Sequence, residues 1–417
     1  HRRIALNIIA AVGTNLRYII LGFMLASGFL SMWISNTATA VMMMPIGLAV
    51  ARQLGPGLDR SVMNPNDFGR ALMLAIAYGC SIGGMATIIG TPTNVVFTGV
   101  VDELYGVQIG FAEWMLFGLP VALGLLAVAW YYLVNFAYGL PRQSEVTGGR
   151  TEIARQLDAL GPMSVEEKRT LVIFVLVALG WILRSFVIAP YVPGISDAGI
   201  GLIGVLLLFL LPAGKGGAAA GAEERPSSTD PDGFVHDRAN TGQPSRDRLL
   251  DWQTAEGIPW GILLLFGGGL ALAAGFRESG LATWIGEQLT LLQAVPFLVL
   301  LLILIAVVNF LTEITSNVAT AAMLLPILAA LSVTIGVHPY GLMVAATVAA
   351  SCAFMLPVAT PPNAVVFGSG YLTIPGMIRV GICLNVLSIL LLTLLVYFLL
   401  PLAWGIDLTA FPAELGQ

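Results

Sequence analysis

The strongest constraint on this fold is a duplication. Residues 29–46 read FLSMWISNTATAVMMMPI and residues 310–327 read FLTEITSNVATAAMLLPI, identical at ten of eighteen positions without a gap. Downstream of each comes a second matched pair, TPTNVVF at 91–97 and TPPNAVVF at 360–367. Two motifs repeated in the same order define an internal repeat. Each first motif lies between two apolar arms, 16–34 and 37–50 in one copy, 295–314 and 318–335 in the other. The arms are short for full membrane crossings, so each pair reads as a re-entrant hairpin. Its polar tip, Ser35-Asn36 or Ser316-Asn317, then lies near mid-membrane.

That reading requires a bilayer, and the rest of the chain supplies the case for one. Segments 71–97, 111–138, 170–189, 195–212, 258–276, 339–359 and 380–400 are apolar over about the 20 residues that a helix needs to cross a hydrocarbon core. Charged residues make up only 10% of the 417, where a soluble domain carries about 25%. Lys and Arg mark cytoplasmic loops. Arg142, Arg150, Arg155, Lys168 and Arg169 fall in 141–169, and Lys215, Arg225, Arg238, Arg246 and Arg248 in 213–251, so both stretches are expected on the cytoplasmic side. Residues 98–110 carry Asp102 and Glu103 but no Lys or Arg, as an outside loop would.

Counting spans from these loops, the first hairpin enters from the cytoplasm and the second from outside. The expected fold is an all-α polytopic membrane protein, an inverted repeat with two re-entrant hairpins and broken helices. Residues 1–140 form a first repeat, with its inward hairpin at 16–50 and a broken helix at 71–97. An amphipathic cytoplasmic connector follows at 141–169. Residues 170–417 form the second repeat, with a disordered cytoplasmic loop at 213–251, an outward hairpin at 295–335 and a broken helix at 339–367. Three spans precede the second motif and none precedes the first, and the chain starts at His1, so about three upstream helices are expected to be missing.

Inverted repeats that meet at the midplane are a common plan of secondary transporters. A proline within a span frees backbone carbonyls, which in lipid must find partners. Carbonyls suit Na⁺, while helix N-termini suit a carboxylate. Ser, Thr and Asn add neutral donors and acceptors. Such residues also act as glue between helices, and a single Ser-Asn would read that way. The duplicated tip facing a duplicated Thr-Pro break points instead to a binding site.

Other classes fit poorly. A net charge of −5 with no basic cluster argues against nucleic acid. Cys80, Cys352 and Cys383 lie in apolar segments without a CxxC pair and read as small packing residues. His1, His236 and His338 are scattered, which opposes both a metal cluster and an intramembrane enzyme. An open channel suits opposed hairpins less well than alternating access does.

These residues resemble the divalent anion/sodium symporter family of dicarboxylate, citrate and sulfate carriers, over essentially the whole chain. FGGGLALA at 266–273 followed by SGLA at 279–282 strengthens the likeness, although alone those glycines would mean only close helix packing. The resemblance implies an elevator-type homodimer in the plasma or inner membrane, in contact with membrane lipid, with 1–17 a surface helix before the inward hairpin. It implies a first Na⁺ site at Ser31, Ser35, Asn36 and Gly90 and a second at Thr312, Thr315, Asn317 and Ala359, partly through carbonyls. Substrate carboxylates would meet Asn36, Thr37, Thr91, Ser316, Asn317, Val318 and Thr360. Val318 departs from the Ser-Asn-Thr of many members and removes one hydroxyl.

The expected function is Na⁺-coupled transport of a succinate-like di- or tricarboxylate, without an organic cofactor. A Na⁺-independent dicarboxylate exchanger and a carrier of sulfate or another divalent anion are the alternatives. A proton or cation antiporter would need paired acids at mid-membrane, and Glu313, Arg184 and Arg379 offer no such pair. Glu313 reads either as tuning an ion site or as a structural carboxylate on backbone N–H groups.

Overall fold

A computed structural model describes residues 1–12, 15–54, 64–141, 147–192, 194–213, 248–257, 260–281, 284 and 295–416. The described residues are helical and form no named strand; they divide into two compact units, one of 1–159 and 260–417 and a smaller one of 160–259. Residues 214–247 of the expected cytoplasmic loop lie outside the described residues.

The larger unit begins with α1 (Arg2–Val12), whose buried Ala5, Leu6 and Ile9 lie on one face. Helix α1 stops short of the expected 1–17. Helices α2 (Leu16–Ser31) and α3 (Asn36–Leu54) are the arms of the first hairpin. A broken helix follows, α4 (Pro65–Gly84) and α5 (Pro92–Tyr105), then α6 (Phe111–Tyr132), which ends in a π-helical turn at Leu133–Ala137. Helix α7 (Thr147–Ala159) occupies part of the expected connector and packs on α1 and α3. The smaller unit holds α8 (Val165–Leu183), α9 (Asp197–Leu210) and the short α10 (Trp252–Ala255). Back in the larger unit come α11 (Trp260–Glu278), the second hairpin α12 (Phe297–Thr312) and α13 (Asn317–Ile335), the second broken helix α14 (Pro339–Ala350) and α15 (Pro361–Phe367), and α16 (Ile374–Trp404).

Several boundaries differ from the sequence expectation. Helix α5 runs on through Asp102 and Glu103 to Gly106, whose φ of 66° ends it, so much of 98–110 is helix rather than loop. Lys168 and Arg169 belong to the start of α8, which Ser164 caps, and not to the connector. The second arm of each hairpin has 19 residues, about 28 Å of helix. Among the described residues, five helical segments are long and apolar enough to cross a membrane: Asn36–Leu54, Phe111–Ala137, Val165–Ile188, Asn317–Ile335 and Ile374–Trp404. The first arms, at 16 residues, fall short. Cys80 and Cys352 are buried as expected, but Cys383 is exposed on α16.

Close backbone approach shapes the core. A Cβ on Gly83 would collide with the backbone of Gly28, and one on Gly79 with the Met24 carbonyl, so these two glycines of α4 let it cross directly over α2. Gly381 of α16 lies equally close to the backbone of Phe354 and Met355 in the second break. Each hairpin packs on its own broken helix, α2 and α3 on α4, α12 and α13 on α14. The second arms also cross over: α3 packs on α15, and α13 packs on α5. His338 starts α14, its Nδ1 accepting from the Tyr340 N–H at 3.2 Å. Burial lowers its pKa to about 4, so the imidazole is neutral at neutral pH, and the Tyr340 N–H makes Nδ1 its unprotonated nitrogen.

Candidate functional site

Helices α3, α5, α13 and α15 lie in one unit, α3 against α15 and α13 against α5, and each is preceded by a residue of the duplicated motifs. Thr91, Ser316 and Thr360 are the N-caps of α5, α13 and α15, and α3 opens at Asn36 after Ser35. Ser35, Thr37 and Ser316 are exposed, Asn36, Asn317 and Val318 half-buried, and Thr91, Thr360, Gly90 and Ala359 buried.

In the first module the Asn36 side chain is the centre. Its outer amide atom touches the Ser31 hydroxyl and lies 3.2 Å from the carbonyl oxygens of both Gly90 and Cys80. With nitrogen in that position the amide donates to all three. With oxygen there, four oxygens face one another. A Cβ on Gly84 would come within 2.5 Å of the amide, so glycine makes room for it. The Ser35 hydroxyl accepts from the Ala38 N–H at 3.3 Å, and its carbonyl accepts from the Thr39 N–H and hydroxyl.

The second module repeats the central contact. The Thr312 hydroxyl reaches Asn317 Oδ1 at 2.7 Å and the Ala350 carbonyl at 3.0 Å. Ser31 and Thr312, like Asn36 and Asn317, stand at equivalent places in the repeat. Thr315 turns elsewhere: its hydroxyl bonds the Leu311 carbonyl at 2.9 Å and the Thr320 hydroxyl at 2.6 Å. Thr312 and Asn317 are therefore brought together, while the Thr315 hydroxyl serves the hairpin itself. Ala359 donates its N–H to the Leu356 carbonyl at 3.2 Å.

Residues outside the expected set hold the breaks open. Asn94 donates from its amide to the Gly84, Met85 and Thr87 carbonyls at 3.4, 3.3 and 2.8 Å, and Asn363 donates to the Ala353 and Leu356 carbonyls at 3.1 and 3.0 Å. Both asparagines are fully buried. Their signal is present in the duplicated Thr-Pro-x-Asn. Cys80 has none, since it contributes a backbone carbonyl.

Glu313 takes the structural of its two readings. Its carboxylate accepts from the N–H groups of Phe354, Met355 and Leu356 at 2.8, 2.9 and 3.0 Å and from the Asn385 amide at 2.8 Å. Arg184 is likewise accounted for, paired with Asp197 at 2.5 Å within the smaller unit. Among the described residues no group of three His, Cys, Asp or Glu side chains is placed to hold a metal ion. Any cation at the hairpin tips would be held by neutral oxygens.

Comparison with known proteins agrees with this architecture. The family model described as the sodium:sulfate symporter transmembrane region matches residues 1–406. The chain is 44% identical over 414 residues to the sodium-dependent dicarboxylate transporter SdcS of Staphylococcus saprophyticus, covering 98% of this chain and 74% of that protein. It is 43% identical over 417 residues to SdcS of Staphylococcus aureus, with the same coverage. Among solved structures, the YdaH transporter of Alcanivorax borkumensis aligns with a TM-score of 0.56 at 14% identity, covering 97% of this chain and 82% of that one. MtrF of Neisseria gonorrhoeae aligns at 0.52 and 15% identity, covering 94% and 80%. At such identities the structural likeness speaks for the fold alone. The family match and the relatives carry the assignment: this chain is an integral membrane protein that belongs to the sodium:sulfate symporter family, the divalent anion/sodium symporters that its duplicated motifs resemble.

Proposed function

We propose that this protein is a Na⁺-coupled carrier of succinate-like dicarboxylates whose site is formed by the two hairpin tips and the two helix breaks. The observation that carries the proposal is the cluster at Asn36. Ser31, Gly90 and Cys80 present three oxygens to one amide atom. Turning the Asn36 oxygen toward them creates a four-oxygen cage that a cation stabilises and that is unfavourable without one. In the second module Thr312 and Asn317 stand at the equivalent places, and the Ala350 carbonyl adds a further oxygen on the Thr312 hydroxyl.

Coupling then follows from charge. Asn36, Thr37, Thr91, Ser316, Asn317, Val318 and Thr360 are all uncharged, yet the substrate is a dianion. Burying unpaired carboxylates is costly. Helix N-termini offset part of this through their N–H groups and dipoles, and cations held behind the two Asn residues offset the rest. Na⁺ binding therefore precedes and enables anion binding. Val318 in place of a hydroxyl leaves fewer donors on the second tip, which suits carboxylates already served by Ser316 and Thr360. The names of the Staphylococcus relatives support a dicarboxylate over sulfate.

The two hairpins are read as entering from opposite sides and as moving together with their broken helices in an elevator, within a homodimer. The compact larger unit, with both hairpins cross-packed, supports their movement as one body. The deciding experiment is uptake of radiolabelled succinate into proteoliposomes, with and without an inward Na⁺ gradient and with unlabelled succinate inside. Accumulation driven by the gradient is expected. Uptake that ignores Na⁺ and requires internal succinate would make the protein an exchanger.

A further inference from the structure

Two buried hydroxyls join the helix breaks directly. Thr93 Oγ1, at the start of α5, lies 3.0 Å from Ser351 Oγ, at the end of α14, and 3.3 Å from Thr91 Oγ1. Thr93 and Ser351 are 0% and 2% exposed, so no water competes for either. The repeat does not explain the pair. The positions equivalent to Thr93 and Ser351 in the opposite modules are Pro362 and Ile82, which have no hydroxyl. Tyr78 adds a second link of the same sense, donating from α4 to the Phe354 carbonyl at 3.0 Å. Its repeat counterpart, Thr347, instead bonds within its own helix, to the Met343 carbonyl at 2.8 Å.

The placement of the pair is what matters. On one side the chain of hydroxyls ends at Thr91, which follows Gly90 of the first cage. On the other, Ser351 follows Ala350, whose carbonyl takes the Thr312 hydroxyl beside Asn317. Each hydroxyl has one proton to give but can accept twice, so the direction of the two bonds is open until one end of the chain commits its proton elsewhere, and hydrogen bonds in such a chain polarise one another. An anion that accepts from Thr91 makes Thr93 the donor to Thr91 and Ser351 the donor to Thr93. The state of the first break is thereby imposed on the end of α14.

We infer that Thr93 and Ser351 are positioning residues that couple the two breaks, so that occupation of one module raises the affinity of the other. The inference rests on the reading of the two modules as Na⁺ sites. Coupling of this type is a free energy shared by both sites, and it differs from mere packing glue in its readout.

The test is the Na⁺ dependence of radiolabelled succinate uptake in proteoliposomes, comparing the unmodified protein with Thr93→Val, Ser351→Ala, the double variant and Thr93→Ser. The unmodified protein should respond sigmoidally. Either single hydroxyl deletion should bring the Hill coefficient toward one and raise half-saturating Na⁺ by about five-fold or more. The double variant should match the singles, because one link is lost in each case, and Thr93→Ser should behave as the unmodified protein. A Hill coefficient and half-saturating Na⁺ unchanged in both single variants, or losses that add in the double variant, would overturn the coupling and leave the proposed function intact. Uptake by the unmodified protein that ignores Na⁺ would overturn both.

Discussion

In the first module the interrupted backbone satisfies itself locally, whereas in the second it depends on a carboxylate from the hairpin. After α4, the N–H groups of Met85 and Ala86 bond the carbonyls of Ile82 and Gly83 three residues back, and the Thr87 hydroxyl donates to the Met32 carbonyl at 2.5 Å. After α14, the equivalent N–H groups of Phe354 and Met355 point to Glu313, which stands where the first module has Met32. The longer interruption explains the difference. Ten residues separate α14 from α15, against seven between α4 and α5, and the wider gap leaves more N–H groups without a carbonyl. Related sequences can thus build equivalent sites on differently supported breaks. The second site is the one whose geometry a single side chain away from the tip can disturb.

The largest effect expected from this comparison is one that the modules share. Asn36→Ala and Asn317→Ala should each reduce succinate uptake by roughly 100-fold or more, since each removes the amide at the centre of its cage, a loss of about 3 kcal/mol. Near-normal uptake with either variant, in protein shown to be folded by size-exclusion chromatography, would sink the site assignment.

Next comes the position where the modules differ. Glu313→Met, which imports the residue of the first module, leaves the Met355 and Leu356 N–H groups without their acceptor. It should destabilise the detergent-solubilised protein by about 3 kcal/mol. Met32→Leu, which keeps volume and leaves the carbonyl in place, should cost less than about 1.5 kcal/mol. Thermal midpoints measured side by side will decide, and equal shifts would mean that the two breaks are supported alike.

A smaller and symmetrical effect is expected at the paired asparagines. Asn94→Ala and Asn363→Ala each free carbonyls inside the core and should each cost about 1–2 kcal/mol in the same assay. A loss at only one of them would break the equivalence of the modules.

The smallest effect should come from exchanging the hydroxyl residues. Ser31→Thr and Thr312→Ser each place the other module's residue beside Asn36 or Asn317, and uptake should change by no more than about three-fold, within about 0.6 kcal/mol. A large loss would show that the cages differ in size.

Much of the fold and of the candidate site is legible in the amino-acid sequence alone. The repeat at 29–46 and 310–327 locates both tips, because a duplicated Ser-Asn between apolar arms has few uses in a bilayer, and the prolines at 92 and 361 locate both breaks. Charge scarcity places the chain in the membrane, since a helix in lipid satisfies its own backbone and needs only apolar side chains. The end of α5 is less legible. Asp102 and Glu103 resemble a loop in composition, yet helix geometry tolerates them where the chain leaves the apolar core.

What the sequence could not determine is which atoms meet. Backbone oxygens carry no residue signature, so nothing in the sequence marks Cys80 as a member of the first cage. Hydrogen-bond partners far apart in sequence, Thr93 with Ser351 and Glu313 with the N–H groups of 354–356, exist only once helices cross. Pattern and composition determined the class of fold and the residues at its tips, because periodicity and breaks are local properties of the chain. Tertiary packing alone decided how the interrupted backbone is satisfied, because that choice belongs to whichever groups the crossing helices bring within reach.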